Sequence, residues 1–402
     1  MFGFAQLSAL RAALKKLFLM TTNRKRPEDF LELVERAKRG RLKVYIGPAA
    51  GVGKTYQMLE EAHALKKRGV DVVLGFIETH GRAETEALID GLEVIPRRRI
   101  EYRGVAVEEM DLDATLKRHP QVAVVDELAH TNIPGSRNRK RYQDVLELLA
   151  AGINVICAFN VQHLESLNDL VKQATEVVVR ETIPDSFLRQ ADQVVNLDLA
   201  VEDLIERLRT GKIYSQEKVN WALEHFFKPE KLSMLREIAL REVAESIDRA
   251  VASRARSEEL SGSNASERVM ACIASRTPHS AMLLRRASRL AGRLNTDWYV
   301  VYVETPKESP LRIDAEAQRR LMDTEEKARE LGAEVVRLSA KDPVPALLEF
   351  ARTHHVGHIV IDRTTKPLWR QLLGQSVMFG LVRDAAGFDL HIVSFEGEEA
   401  RS

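Results

Sequence analysis

Residues 44–56, VYIGPAAGVGKTY, run from an apolar stretch into a glycine-rich turn that ends in Lys54-Thr55. In a phosphate-binding loop the backbone N–H groups of such a turn surround phosphate oxygens, and the helix that follows adds the positive potential of its N-terminus. The lysine reaches the β- and γ-phosphates and the Ser/Thr hydroxyl ligates Mg²⁺. Gly51, Val52, Gly53, Lys54, Thr55 and Tyr56 are therefore the candidate nucleotide-binding residues, with Thr55 as a magnesium ligand. The strict pattern asks for glycine where Pro48 stands, one residue after Gly47, and proline contributes no N–H. The alternative is a glycine-rich turn with a chance Lys-Thr.

A second stretch agrees with the first. VAVVDELAH (122–130) is an apolar strand pattern ending in Asp126-Glu127. An acid at the tip of a neighbouring strand holds Mg²⁺ in Walker-type sites, which makes Asp126 a candidate for the metal. Glu127 could orient or deprotonate an attacking water and is the candidate catalytic residue. The competing reading is a strand that ends in solvated acids. HTNIP, immediately after, has the look of a histidine-kinase phosphoacceptor box. No glycine-rich ATP lid follows it, so His130 is placed near the γ-phosphate instead. Arg137, Arg139, Lys140 and Arg141 form a basic run that could contact phosphates, an acidic partner or only solvent.

The elements that must position these groups alternate. From residue 41 to 198, apolar runs at RLKVYIG, DVVLGFIE, QVAVVDE, NVICAFN and ADQVVNLD are separated by helical patterns, as in TYQMLEEAHALKKRG, stopped by Gly69. Continuous apolar strands alternating with helices predict a parallel sheet covered on both faces. Residues 200–262 are dense in charge and almost wholly helical in pattern, a connector or subdomain that could equally be a partner surface or plain packing. SGSNASE (261–267) reads as a flexible linker. From 268 to 397 a second strand–helix alternation begins at RVMACIAS and ends at DLHIVSF.

The expected organisation is thus α/β: a P-loop NTPase-like parallel-sheet domain over 26–199, a helical connector over 200–262 and a second α/β domain over 268–397. Residues 1–25 form an N-terminal amphipathic helix and linker. In MFGFAQLSALRAALKKLFLM the basic residues lie inside the apolar part, which argues against a cleaved signal peptide. Residues 1–20 either dock on a protein surface or make peripheral contact with a membrane. No apolar run in the 402 residues approaches the length of a membrane span, and the formal net charge of +1 offers no field for nucleic acid. Cys157 and Cys272 stand far apart in apolar runs, which suits a reducing cytoplasm.

Several phrases exceed a generic phosphate loop. GFIETHGRAET (75–85), VDELAHTNIPGSRNRKRYQDV (125–145), NVQHLESLND (160–169) and LREIALR (235–241), with RPEDFLE ahead of the first strand, together resemble the N-terminal cytoplasmic sensor domain of the KdpD family of potassium and turgor sensor kinases. The resemblance covers roughly residues 26–255. It implies a module that binds ATP at a Walker-type site, with Gly51, Gly53, Lys54, Thr55 and Asp126 as site residues, and that regulates a kinase and phosphatase balance.

Residues 268–397 resemble the universal stress protein domain that follows in that family and in many members binds cyclic di-AMP. The implied signature is Ser-x-Ser, a spacer, then Phe-Thr-Ala-x-Tyr. Here Ser275 and Thr277 precede Trp298 and Tyr302 at matching spacing; the second serine and the Thr-Ala differ. The hydroxyls could meet phosphate and the rings could stack a base; the alternative is two buried strands and a turn. A glycine-rich stretch that marks ATP-binding universal stress proteins is incomplete in 361–377, although Gly374 and Ser376 stand.

Full-length family members continue into membrane helices and a histidine kinase core. The expectation here is a stand-alone short form, with a fragment as the alternative; this chain alone would not autophosphorylate and would work through a separate histidine kinase or a potassium-uptake component, with a homodimer as one possible arrangement. Three functions compete: an ATP-gated regulator, a P-loop ATPase using Glu127, and a cyclic di-AMP receptor.

Overall fold

The computed structural model describes residues 38–394, apart from 103, 215–218, 221, 224–226, 259–267, 276, 278, 295, 307, 310, 311 and 364–376. The expected helix over 1–20, the RPEDFLE segment, the linker 261–267 and Gly374 and Ser376 lie outside the described residues.

The first domain is built on a six-stranded sheet in the order β3-β2-β6-β7-β1-β8. Its strands are β1 (Leu42–Gly47), β2 (Val72–Phe76), β3 (Glu93–Val94), β6 (Val122–Val125), β7 (Asn154–Asn160) and β8 (Gln193–Asn196). Every pairing within it is parallel. The central strands β1, β2, β6 and β7 are buried along almost their whole length, as a parallel sheet covered on both faces requires. Helix Lys54–Lys67 covers one face through Met58, Leu59 and Ala62. Helix Arg141–Ala150 covers the other through Val145, Leu148 and Leu149.

An antiparallel hairpin of β4 (Arg98–Tyr102) and β5 (Val105–Glu109) stands apart from the sheet. Charge-rich strands of this kind lack the apolar run that betrays a buried strand, and the sequence pattern does not reveal them.

The helical connector is joined to the first domain. Helix Val201–Arg209 packs Leu204 and Leu208 against Ala49 and Val52 of the glycine-rich loop. The long helix Pro229–Glu258 inserts Leu235 and Ala239 into the core beneath β7 and β1.

The second domain holds a five-stranded, all-parallel sheet in the order β11-β10-β9-β12-β13. Its strands are β9 (Arg268–Ile273), β10 (Trp298–Glu304), β11 (Glu334–Ser339), β12 (Val356–Asp362) and β13 (Asp389–Val393). Helices Ser280–Arg293 and Ala315–Glu330 lie on one face, and Pro343–Thr353 and Val377–Asp384 on the other. The structure is thus mixed α/β with parallel sheets, as the alternation of patterns predicts.

Charges join the two domains. Glu165, 3% exposed, meets Arg285 at 2.7 Å and Lys327 at 3.0 Å. Asp169 takes both guanidinium nitrogens of Arg289, at 2.7 and 3.0 Å. Ser186 Oγ donates to Glu330 O at 2.7 Å.

Candidate nucleotide site

β1 ends at Gly47, where the chain turns into the loop. A Cβ there would sit 2.7 Å from Val52 Cγ2 and 2.9 Å from Leu197 O, so a side chain does not fit. Gly47 is thus the crowded position at the entry to the turn, and Pro48 follows it. Gly51 and Gly53 have φ of 92° and 97°, a region that favours glycine. Gly53 immediately precedes helix Lys54–Lys67, so the loop delivers its amides at a helix N-terminus.

Lys54 turns back over this loop. Its Nζ donates to Ala49 O at 2.9 Å and to Asn160 Oδ1, at the tip of β7, at 2.5 Å. Burial draws its pKa down to about 8, against the opposing pull of Asp126. One residue on, Thr55 Oγ1 donates to Asp126 Oδ2 at 2.7 Å. The other carboxylate oxygen of Asp126 accepts from Glu127 N–H at 2.9 Å. Burial first, and the nearby Glu127 second, raise the Asp126 pKa above the usual carboxylate range.

Glu127 and His80 face each other, Nε2 to Oε1 at 3.3 Å, and both are non-glycine residues in the left-handed region, at φ 54° and 53°. Such backbone stores on the order of 1 kcal/mol or more per residue. The hydrogen bond lowers the carboxyl pKa of Glu127 and raises that of His80. His163, on the turn Val161–His163, is held by Glu181 O at 2.8 Å, and burial lowers its pKa.

Gly51, Gly53, Lys54, Thr55, Asp126 and Glu127 together line a cleft at the C-terminal ends of β1, β6 and β7. Ligands of open parallel sheets bind at such an edge. Val52 and Tyr56 are not in the lining. Val52 is buried with Val201, Leu204 and Ile213, and Tyr56 is 39% exposed. His130 does not line the cleft either: its ring meets the buried Glu109 at 3.0 Å. There Arg141 also pairs with Glu109, at 3.2 Å, and lies 3.7 Å over the Phe76 ring. Arg137 pairs with Asp113 and Glu147, and Lys140 donates to Thr131. Arg141 therefore braces the loop after β6 from behind, and none of the basic run lines the cleft.

His80, Arg82, Asn160 and His163 do line it, and reasoning from the sequence missed them. They follow the apolar runs of β2 and β7, and polar residues just past the C-terminal tip of a parallel strand are the signal that could have found them.

Mg²⁺ dehydrates reluctantly and takes one or two protein oxygens plus phosphates. Thr55 Oγ1 and Asp126 fit that demand. No cluster of three His, Cys, Asp or Glu side chains suited to a metal occurs among the described residues.

In the second domain Ser275 and Thr277 follow β9. Thr277 Oγ1 is engaged with the backbone of Ala274. Glu308 accepts from Ser275 N–H at 3.0 Å and from the Tyr302 hydroxyl at 3.2 Å. Trp298 and Tyr302 are each 1% exposed, inside the core. In this arrangement both rings pack into the core, the alternative of buried strands and a turn that the sequence left open.

The family described as the osmosensitive K⁺ channel His kinase sensor domain (KdpD) matches residues 38–247. The sensor protein KdpD of Escherichia coli is 43% identical over 378 residues, covering 94% of this chain and 42% of the relative. A putative sensor protein KdpD of Synechocystis is 43% identical over 357 residues, covering 89% of this chain and 95% of the relative. This chain therefore spans less than half the length of the first relative and nearly all of the second. Among solved structures, a universal stress protein in complex with cAMP covers 33% of the chain at 21% identity and a TM-score of 0.27. One from Archaeoglobus fulgidus covers 31% at 20% identity and a TM-score of 0.26.

Proposed function

Because the chain belongs to the KdpD family of osmosensitive K⁺ channel His kinase sensor domains, we propose that it is an ATP–Mg²⁺-binding regulatory module of potassium or osmotic signalling. The observation that carries this reading is the Thr55–Asp126 hydrogen bond beside Lys54. It joins the phosphate loop to the metal-holding strand tip, as a nucleotide–magnesium site needs.

In this reading, the amides of 51–55 and the Lys54 ammonium bind the phosphates, and Thr55 and Asp126 hold the magnesium. Bound magnesium supplies charge neutralisation between the β- and γ-phosphates. Phosphate competes with Asn160 for the Lys54 ammonium. Asn160 begins the segment that carries His163 at the cleft and Glu165 and Asp169 at the second domain. That continuity supports a module whose nucleotide state biases the arrangement of its two domains. The output passes in the cytoplasm to a separate histidine kinase or potassium-uptake component. Among the described residues, no helix is long and apolar enough to cross a membrane.

One observation favours a second reading. Glu127 reaches the same cleft as Lys54 and is held ionised by His80, which suits a carboxylate that orients water. The test for both is titration of ATP–Mg²⁺ into the protein and into Lys54→Ala, with phosphate release followed in parallel. Binding that needs Lys54, without release, supports the regulator. Release that disappears in Glu127→Gln supports an ATPase. A parent protein that binds no nucleotide refutes both.

A further inference from the structure

The cations of the cleft are not equally satisfied. Lys54 has two acceptors. Arg82 also lines the cleft, yet its Nε is sealed from solvent with nothing to donate to. Among the described residues no carboxylate pairs with its guanidinium. A buried donor left without an acceptor is unfavourable, and an acceptor arriving at the guanidinium would relieve it.

The backbone aims this side chain. Arg97 donates to Ile77 O at 2.6 Å and to Glu78 at 3.3 Å, which anchors the loop after β2. His80 and Gly81 then take φ of 53° and 71° in succession and turn the chain back toward the phosphate loop. Arg82 lines the same cleft as Lys54, His80 and Glu127. On a nucleotide held by the loop, these groups meet the terminal phosphate, since the lysine reaches the β- and γ-phosphates and the neighbouring acid acts at the γ.

We propose that Arg82 donates to the terminal phosphate of the bound nucleotide and makes the site discriminate a nucleoside triphosphate from a diphosphate. This rests on the nucleotide reading above and adds the residue that reads the phosphate count. Arginine suits the task because its planar fork matches a phosphate edge and carries charge at every physiological pH.

Calorimetric titration of the full chain with Mg-ATP, Mg-ADP and an ATP analogue with a non-hydrolysable β–γ bridge tests it, on the parent, Arg82→Ala, Arg82→Lys and Lys54→Ala. The parent should prefer the triphosphates. Arg82→Ala should lose about tenfold or more in triphosphate affinity while diphosphate affinity stays within about twofold. Arg82→Lys should recover part of the loss, and Lys54→Ala should lose both ligands. A triphosphate-to-diphosphate ratio unchanged in Arg82→Ala, or an equal loss of both ligands in both Arg82 variants, overturns the role of Arg82 alone. A parent that binds neither nucleotide overturns the underlying reading and this one with it.

Discussion

The Nζ of Lys54 donates to Oδ1 of Asn160 at 2.5 Å, so the glycine-rich loop and the tip of β7 share one cation. β7 lies between β1 and β6 in the sheet, and Asn160 thereby stands between the loop and the Asp126–Glu127 turn. The same segment continues to Glu165, which is buried against Arg285 and Lys327 of the second domain. A change at the lysine has a short covalent path to the interdomain contact.

Nucleotide binding should take up protons at alkaline pH. The Lys54 pKa is depressed to about 8, so its charge costs folded-state stability below that pH, and the cost fades as pH rises toward the usual lysine range. Bound phosphate favours the ammonium and reverses the shift. Affinity should therefore fall as pH rises through about 8, with proton uptake on binding near about pH 9 and little near about pH 7. Titration in buffers of different ionisation heat measures this. Uptake that persists in a Lys54→Arg variant that still binds would assign it to another group.

Two loop glycines should separate stability from binding. A Cβ on Gly51 would lie 2.2 Å from Ile213 Cδ1, whereas one on Gly53 meets nothing within 4 Å. Gly51→Ala combines backbone strain with overlap and should cost roughly 2–3 kcal/mol in denaturant unfolding. Gly53→Ala should cost about 1 kcal/mol yet abolish nucleotide binding, because its methyl enters the cleft.

Asp126→Asn should leave the ligand-free protein at least as stable as the parent at neutral pH. The Asp126 pKa is raised, so its ionisation removes stability as pH climbs above the ordinary carboxylate range, and the amide abolishes that loss. Magnesium should cease to strengthen nucleotide binding in the variant. Thermal melts across pH, with and without the metal, test both parts; a variant markedly less stable than the parent would mean that the carboxylate is structural.

Glu165→Gln should uncouple the domains. Removing one partner from a buried charge network costs about 3 kcal/mol or more, and here it leaves Arg285 and Lys327 facing an amide. The Glu165 carboxyl titrates below its usual range because its cationic partners outweigh burial. The contact is therefore full above the usual glutamate range and is lost as pH falls through the depressed pKa. Small-angle scattering should show the parent expanding only at acid pH and the variant expanded already at neutral pH. Identical profiles would remove Glu165 from the coupling.

Much of the fold was legible because burial leaves a local trace. β1, β2, β6 and β7 are covered on both faces, so each reads as an unbroken apolar run, and the helices between them show their buried stripe. The β4–β5 hairpin is half exposed and charge-rich, and no such trace exists for it. The connector read as helical from its pattern. That Leu235 and Ala239 complete the first domain's core depends on contacts across the sheet, which no local pattern reports.

The site divides the same way. The glycines, Lys54 and Thr55 were legible as a consecutive glycine-rich Lys-Thr turn between a strand and a helix, and Asp126 as an acid at the end of an apolar strand run. Tertiary structure alone decided the rest. It brought His80, Arg82, Asn160 and His163 to the cleft from the tips of two other strands, turned His130 toward Glu109, and closed the Trp298 and Tyr302 rings into a core. Strand order sets which tips converge, and strand order is a property of packing between segments distant in the chain rather than of any one of them.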